Sequence, residues 1–396
     1  MNLKPRKSGS LRELVFLFLK LGTIAFGGPA AHIAMMEDEV VRRRRWLSKE
    51  KFLDLLGAAN LIPGPSSTEM AIYIGYLQAG WIGLLIAGVC FILPAAIIVT
   101  ILAWAYVQFG SLPQAVGILY GVKPVIIAII LLALWSLGRA AVKNRFLAGV
   151  GLVALLLSFL GVNPLIVILG AGSFTGLTRW IIGLRKKERP TSLSLFLLLI
   201  APALAYVAQT VAATPYATPS LFGLSEIFLI FLKIGSVVFG SGYVLLAFLR
   251  GDLVARLGWL TDSQLIDAVA VGQMTPGPVF TTATFIGYLL AGPLGAFVAT
   301  VGIFLPAFIL VAISGPLIPR IRQSTMAGAF LDGVTVASLA LMTFVTYELG
   351  RAALIDVVTI ILAITSAVLL MRFRLNSAWL VIIGAAVGLL VSLHGI

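Results

Sequence analysis

The stretch Phe18-Leu19-Lys20-Leu21-Gly22 returns 213 residues later as Phe231-Leu232-Lys233-Ile234-Gly235, and much else returns with it. At the same spacing Phe26-Gly27-Gly28 meets Phe239-Gly240-Ser241, Trp46-Leu47 meets Trp259-Leu260, and Asp54 meets Asp267. Pro63-Gly64-Pro65 meets Pro276-Gly277-Pro278. After one deleted residue the spacing is 212, pairing Gly75-Tyr76 with Gly287-Tyr288, Leu93-Pro94 with Leu305-Pro306, and Gly138-Arg139-Ala140 with Gly350-Arg351-Ala352. Chance does not align so many glycines, prolines and charges, so the chain is a duplicated unit.

The solvent of this unit is lipid. Hydrophobic residues make up 60% of the chain and charged residues 11%, against about 25% charged in soluble domains. Runs such as Trp81 to Tyr106 and Gly117 to Leu137 are long enough to cross roughly 30 Å of hydrocarbon. The basic N-terminus and the apolar stretch after it lack a clear small-residue cleavage site and are expected to stay in the mature protein. The single cysteine, Cys90, excludes an intrachain disulfide and a cysteine-based metal cluster. The formal charge of +13 is read as basic loops that fix orientation, not as a nucleic-acid surface.

Each half reads as two broken segments followed by four plain ones. Glu13 to Met36 is interrupted at Gly27-Gly28-Pro29, and Lys51 to Gly80 at Pro63-Gly64-Pro65. Plain spans are expected near 82–107, 116–137, 146–161 and 163–182, and again near 294–314, 327–348, 354–371 and 377–395. The expected fold is an all-α polytopic membrane protein with broken or re-entrant helices. Its units are residues 1–190 as the first repeat, 191–215 as a linking transmembrane segment (apolar from about Leu193 to Val211), and 216–396 as the second repeat. One extra crossing would invert the second repeat.

Charge supports this arrangement. If each broken segment enters and leaves on one side, the N-terminal basic residues, Arg42 to Arg45, Arg139, Lys143, Arg145, Arg179 to Arg189, Arg320, Arg322, Arg372 and Arg374 share the cytoplasmic side. Only Arg250, Arg256 and Arg351 fall outside, and Lys20, Lys123 and Lys233 within the membrane. Inverted repeats with broken helices are a recurrent design of secondary transporters, with the site where the breaks meet. No G-x-x-x-x-G-K-[ST] loop is present, which argues against ATP-driven pumping.

Several residues could carry chemistry. Pro63-Gly64-Pro65 ends one helix and can start another, whose free N–H groups and dipole favour an anion. Ser66, Ser67 and Thr68 add hydroxyls there, as Thr281 and Thr282 do after Pro276-Gly277-Pro278. The same motifs could serve only as kinks. Gly27, Gly28, Gly240 and Ser241 allow a ligand or another backbone to approach closely; close helix packing is the alternative. Lys20 and Lys233, costly in a membrane, could neutralise an anion or snorkel to the interface. Glu69, four residues past Pro65, is a coupling candidate as a proton carrier, and so is His32 beside the Gly-Gly-Pro break. Asp54 and Asp267 read as partners for lysine or caps for backbone. Arg42, Arg43, Arg44 and Arg45 read as a topology anchor that can also funnel anions. No metal site or cofactor is expected.

Phe26-Gly27-Gly28-Pro29, the Glu37-to-Trp46 stretch, Pro63-Gly64-Pro65 and Gly75-Tyr76, together with their second copies, resemble the signature of the chromate transporter family in its long-chain, two-domain form. The resemblance runs from about residue 11 to 390. It implies chromate efflux from the cytoplasm, chromate resistance, competition by sulfate, and energy from the membrane potential or protons. The second half lacks the four-arginine run and Glu69, so the halves should differ in mechanism. The partners expected are a small oxyanion (chromate or sulfate) and the bilayer of the cytoplasmic membrane, with a homo-oligomer left open. Other readings are a passive anion channel, sulfate uptake, or an intramembrane enzyme. The last has neither H-E-x-x-H nor G-x-S-x-G to support it.

Overall fold

In hydrocarbon every backbone polar group must be satisfied within its own segment, and helices do this for apolar runs. The computed structural model describes residues 10–25, 28–60, 62–185, 223–238, 244–314, 325–373 and 377–394, and among them it is helical throughout, with no strand. The first repeat contains α1 (Leu11–Ile24), α2 (Gly28–Glu37, continued by a π-helical turn Asp38–Arg43), α3 (Lys49–Ala59), α4 (Ser66–Phe109), α5 (Pro113–Ala141), α6 (Arg145–Phe159) and α7 (Pro164–Arg185). The second contains α8 (Leu224–Val237), α9 (Leu245–Leu249, continued by a π-helical turn Arg250–Arg256), α10 (Asp262–Met274), α11 (Thr282–Ser314), α12 (Thr325–Ala353), α13 (Val357–Phe373) and α14 (Ser377–His394). Among the described residues five helices are long and apolar enough to cross a membrane: α4, α5, α7, α11 and α12. The breaks at the glycine and proline motifs and the plain spans after them stand close to where the sequence places them. The linking segment Leu193–Val211, with Arg320, Arg322 and Arg374, lies outside the described residues.

The duplication reaches down to the caps. Ser48 accepts from the Lys51 N–H at the start of α3, and Thr261, at the matching position, caps α10 in a reciprocal box with Gln264. The boundaries expected between Gly80 and residue 82, and before residue 294, are sharp turns within continuous helices. α4 turns sharply at Ala79 and Gly80 (φ 63°), and α11 does so at Ala291 and Gly292 (φ 63°). The two arms then fold back on each other. Gly75 lies against the Gly83 backbone and Ala87, and Gly287 against the Gly295 backbone and Ala299. Only glycine permits so close an approach. A hydroxyl pair, Thr284 with Thr300 at 2.7 Å, joins the arms of α11.

The two halves are inverted with respect to each other. Along α5 and the turn after it, Gly138 lies at Leu339, Ala141 clusters with Val336, and Lys143 pairs with Asp332 at 2.6 Å. The partner numbers fall as the α5 numbers rise, so α5 runs antiparallel to α12, its own counterpart. A two-fold axis relating them must lie across the helices, in the plane of a membrane that they span. Neighbours are exchanged about this axis. α5 packs its Gly117 and Gly121 on Gly384 and Gly388 of α14, while α12 packs Phe330, Gly333 and Val334 on Ala171, Gly172 and Thr175 of α7. At the turn before α13, Asp356 caps Thr359 and accepts from the Tyr120 hydroxyl. The Thr359 N–H, then that hydroxyl, holds its carboxyl below the usual carboxylate range.

Candidate anion site at the hairpin tips

Each repeat begins with a short hairpin whose arms are held by charge. α1 and α2 face each other through Lys20, whose ammonium lies 2.8 Å from Glu39. In the second repeat Lys233 lies 2.9 Å from Asp252. Glu39 and Asp252 are themselves 213 residues apart, so the ion pair is duplicated as a unit. Both carboxylates have further partners: Arg44 at 2.6 Å and Arg43 at 3.6 Å for Glu39, and Arg256 at 3.1 Å for Asp252. The two lysines read from sequence as anion ligands are therefore already compensated across their hairpins. In the run Arg42 to Arg45, Arg43 also meets Asp38 at 2.7 Å. Arg45 adopts φ 52°, where the matching position is Gly258 at φ 63°.

The lysines differ in exposure, and so should their variants. The Lys233 side chain is 10% exposed and that of Lys20 48%. Lys233→Met should cost about 2–3 kcal/mol of stability, less than a wholly uncompensated buried charge because Arg256 remains. Lys20→Met should cost about 1 kcal/mol or less. Thermal unfolding in detergent measures both, and Lys233→Met/Asp252→Asn should recover most of the larger loss.

The tips of the broken segments meet across the two-fold. The Gly64 N–H donates to the Val238 carbonyl at 2.7 Å, and the Gly277 N–H donates to the Ala25 carbonyl at 3.0 Å. Ala25 and Val238 are matching positions, so each Pro-Gly-Pro loop is tied to the first hairpin of the opposite repeat. Gly64 (φ 142°) and Gly277 (φ 92°) adopt left-handed backbone that favours glycine. Gly277 also sits against Ala95 of α4, and Gly64 against Ala307 of α11, again matching positions.

Beyond each loop a helix starts inside the protein. Ser66, Ser67, Thr68 and Glu69 are all buried, as are Thr281 and Thr282. The Thr68 hydroxyl and both Glu69 carboxyl oxygens have no hydrogen-bond partner among the described residues. The Glu69 carboxyl rests on the Gly64 backbone, which has no side chain to displace it. Four residues on, the Tyr73 hydroxyl bonds Ser314 of α11 at 2.5 Å. In the second repeat the hydroxyls turn inward: Thr281 donates to the Pro278 carbonyl and Thr282 to Val279, each at 2.8 Å. They keep acceptor capacity but spend their protons locally. His32 is also buried. Its Nε2 donates to the Ala25 carbonyl at 3.0 Å, its Nδ1 has no partner among the described residues, and its ring meets Phe91 edge to face. Gly28 starts α2 at φ 75°; Gly27, Gly240 and Ser241 lie outside the described residues.

The tips thus bring together Pro63 to Glu69, Ala25, His32 and the second Pro-Gly-Pro loop, while Lys20 and Lys233, five residues before Ala25 and Val238, are engaged by Glu39 and Asp252. Residues 12–177 and again 225–389 match the chromate transporter family. The chain belongs to that family. It is 34% identical over 383 residues to a chromate transport protein of Cupriavidus metallidurans, covering 95% of this chain and 92% of that one. It is also 34% identical over 390 residues to a probable chromate transport protein of Synechococcus elongatus, covering 96% and 95%. A transporter of Bacillus subtilis, YwrA, matches at 32% over 170 residues, 41% of this chain but 94% of its own length. That relative is the size of one repeat. No solved structure matches. The chain is a multi-pass membrane protein of a transporter family.

Proposed function

We propose that this protein is a secondary transporter that exports chromate or a related tetrahedral oxyanion across the cytoplasmic membrane and so confers chromate resistance. The observation that carries the reading is the cross-tied pair of Pro-Gly-Pro loops, beyond which buried helix starts carry hydroxyls, that of Thr68 without a partner among the described residues. A helix start is favourable to an anion through its N–H groups and dipole. Ser66, Ser67 and Thr68 on one side supply hydroxyl contacts, and Thr281 and Thr282 on the other join them when their protons turn from the Pro278 and Val279 carbonyls to the anion. Gly28 lends room at the start of α2, and Gly27, Gly240 and Ser241 are proposed with it from their small size in the sequence. Lys20 and Lys233 are each held by a carboxylate, but with Arg43 and Arg44 or with Arg256 their clusters stay net positive and favour an anion nearby. Arg42 to Arg45 gather anions at the cytoplasmic mouth.

Glu69 and His32 are the coupling candidates. A carboxyl with no donor and no cation near it suits a group that takes and gives a proton as the tips separate. Glu69 has no copy in the second repeat, where Thr282 stands, so only one half would carry a proton.

The test is purified protein in liposomes with radiolabelled chromate or sulfate inside. Concentrative, saturable efflux is expected, and Thr68→Val should raise the half-saturating concentration several-fold, as expected for one hydrogen bond of roughly 0.5–1.5 kcal/mol. Flux that never saturates with anion concentration would make the protein a channel.

A further inference from the structure

One charged cluster inside the protein is not part of the hairpin framework. Lys123 of α5 lies 3.1 Å from Asp267 of α10 and donates to the Ser263 hydroxyl at 2.8 Å. Asp267 accepts from the Tyr106 hydroxyl of α4 at 2.9 Å. The Asp267 and Lys123 side chains are only 4% and 18% exposed. Three helices from both repeats meet here.

Two features separate this pair from the framework pairs. First, it occurs once. Lys20–Glu39 and Lys233–Asp252 are present in both repeats, as architecture requires, whereas the position matching Lys123 is Thr335, whose hydroxyl donates to its own helix at Leu331. Asp267 does have its copy, Asp54. Second, its lysine is shared. The Lys123 ammonium stands 3.1 Å from one Asp267 oxygen and also donates to Ser263 at 2.8 Å, whereas Lys233 donates to both oxygens of Asp252 at 2.9 Å. A single contact on a shared ammonium is more easily exchanged for another anion than a bidentate one.

Tyr106 links the pair to open space. A cavity of about 380 Å³ is lined by Tyr106, Ser111, Trp259 and Gln264, among others. Tyr106 is thus both cavity wall and partner of Asp267, and Gln264 is one helical turn from Asp267 on the same helix. At about 30 Å³ per water, this space admits a tetrahedral oxyanion with part of its hydration shell.

We infer that Lys123 contacts the travelling oxyanion and that Asp267 is its tethered stand-in: an oxyanion arriving through the cavity beside Tyr106 displaces the Asp267 carboxylate from the Lys123 ammonium. This rests on the oxyanion reading above and adds a second contact point to it. A carboxylate and an oxyanion offer the same acceptor chemistry to an ammonium group, so they compete for one place. The carboxylate keeps the lysine from standing uncompensated between cycles. The tether sets a threshold that a weakly charged anion does not pass, which selects dianions over monovalent ones.

The experiment compares wild type, Lys123→Met, Asp267→Asn and Lys123→Met/Asp267→Asn, by calorimetric titration of the detergent-purified proteins with sulfate and by chromate flux in liposomes. Lys123→Met should weaken both by about tenfold or more, the size of a lost charge-assisted contact. The double variant should be as weak as Lys123→Met. Asp267→Asn should bind sulfate several-fold more tightly, lower KM for chromate, and admit nitrate, which wild type excludes. A double variant that binds and transports like wild type overturns the inference and makes the pair structural, even where Lys123→Met alone fails to fold. Weaker sulfate binding in Asp267→Asn also overturns it. A wild type that neither binds sulfate nor moves chromate overturns the oxyanion reading itself, and this inference with it.

Discussion

Gly277→Ala should destabilise the protein by about 2–5 kcal/mol and stop transport. Two costs add. A Cβ at Gly277 would stand 2.6 Å from the Ala95 Cβ and 3.2 Å from the Gly22 carbonyl oxygen. Overpacking of a tight interior costs roughly 1–3 kcal/mol. The backbone at φ 92° is left-handed, and a side chain there adds roughly 1–2 kcal/mol. The residue cannot move away, because its N–H is bonded to the Ala25 carbonyl of the opposite repeat. Gly292→Ala is the control. It has φ 63° but nothing within 4 Å of the added carbon, so it should show only the backbone cost. Gly277→Ala/Ala95→Gly removes the carbon that Gly277→Ala strikes and should regain part of the loss. Thermal unfolding in detergent ranks the three, and chromate flux reads the functional effect. If Gly277→Ala and Gly292→Ala lose the same amount, the close approach of this loop to α4 is not what makes Gly277 necessary.

The architecture was legible because duplication converts local signals into long-range ones. A single Pro-Gly-Pro could be a kink; two at one spacing, each with hydroxyls after it, mark a shared break. The four plain spans per half follow from apolar length alone. The inversion, expected from the distribution of arginine and lysine, appears as antiparallel packing of α5 on α12. Contacts between halves were not legible in this way. Nothing in the sequence says that Gly64 bonds Val238, since their register depends on the tertiary fold. The partners of Lys20 and Lys233 were closer to hand. Glu39 and Asp252 keep the 213 spacing, but a change from Glu to Asp hides the match, and a separation of 19 residues pairs only if the chain doubles back. Asp267 was read as a partner for lysine, and it meets Lys123, a contact that joins the two repeats. The folding of α4 and α11 on themselves went unread. The segment boundaries at Gly80 and before residue 294 were read, but the close contact of Gly75 with Gly83 and of Gly287 with Gly295 depends on how the two arms meet across the turn.

Outward flux should rise steeply as the interior is made negative, with no pH gradient present. Chromate and sulfate are largely dianions near neutral pH. A membrane potential acts on each elementary charge with roughly 2.3 kcal/mol per 100 mV. A dianion is therefore driven outward by roughly 4.6 kcal/mol per 100 mV, more than about a thousandfold in concentration ratio. Export needs no coupling ion under that force. Uptake against it would need more than two protons per anion before the potential favoured entry. The groups at the tips that could carry them are few: Glu69, with both oxygens unpartnered among the described residues, and His32, whose Nδ1 is likewise unpartnered. Asp267 is held by Lys123 and Tyr106. Such a supply is thin for three protons per cycle, and it sits in one repeat only. Glu69→Gln keeps the shape of the side chain while removing its exchangeable charge, so it should slow export without abolishing its voltage dependence. The assay is proteoliposomes with an imposed potassium-diffusion potential and labelled chromate inside. A flux indifferent to potential but driven by a pH gradient, and lost in Glu69→Gln, would reverse the account: the proton would then be the driving ion and Glu69 its obligatory carrier.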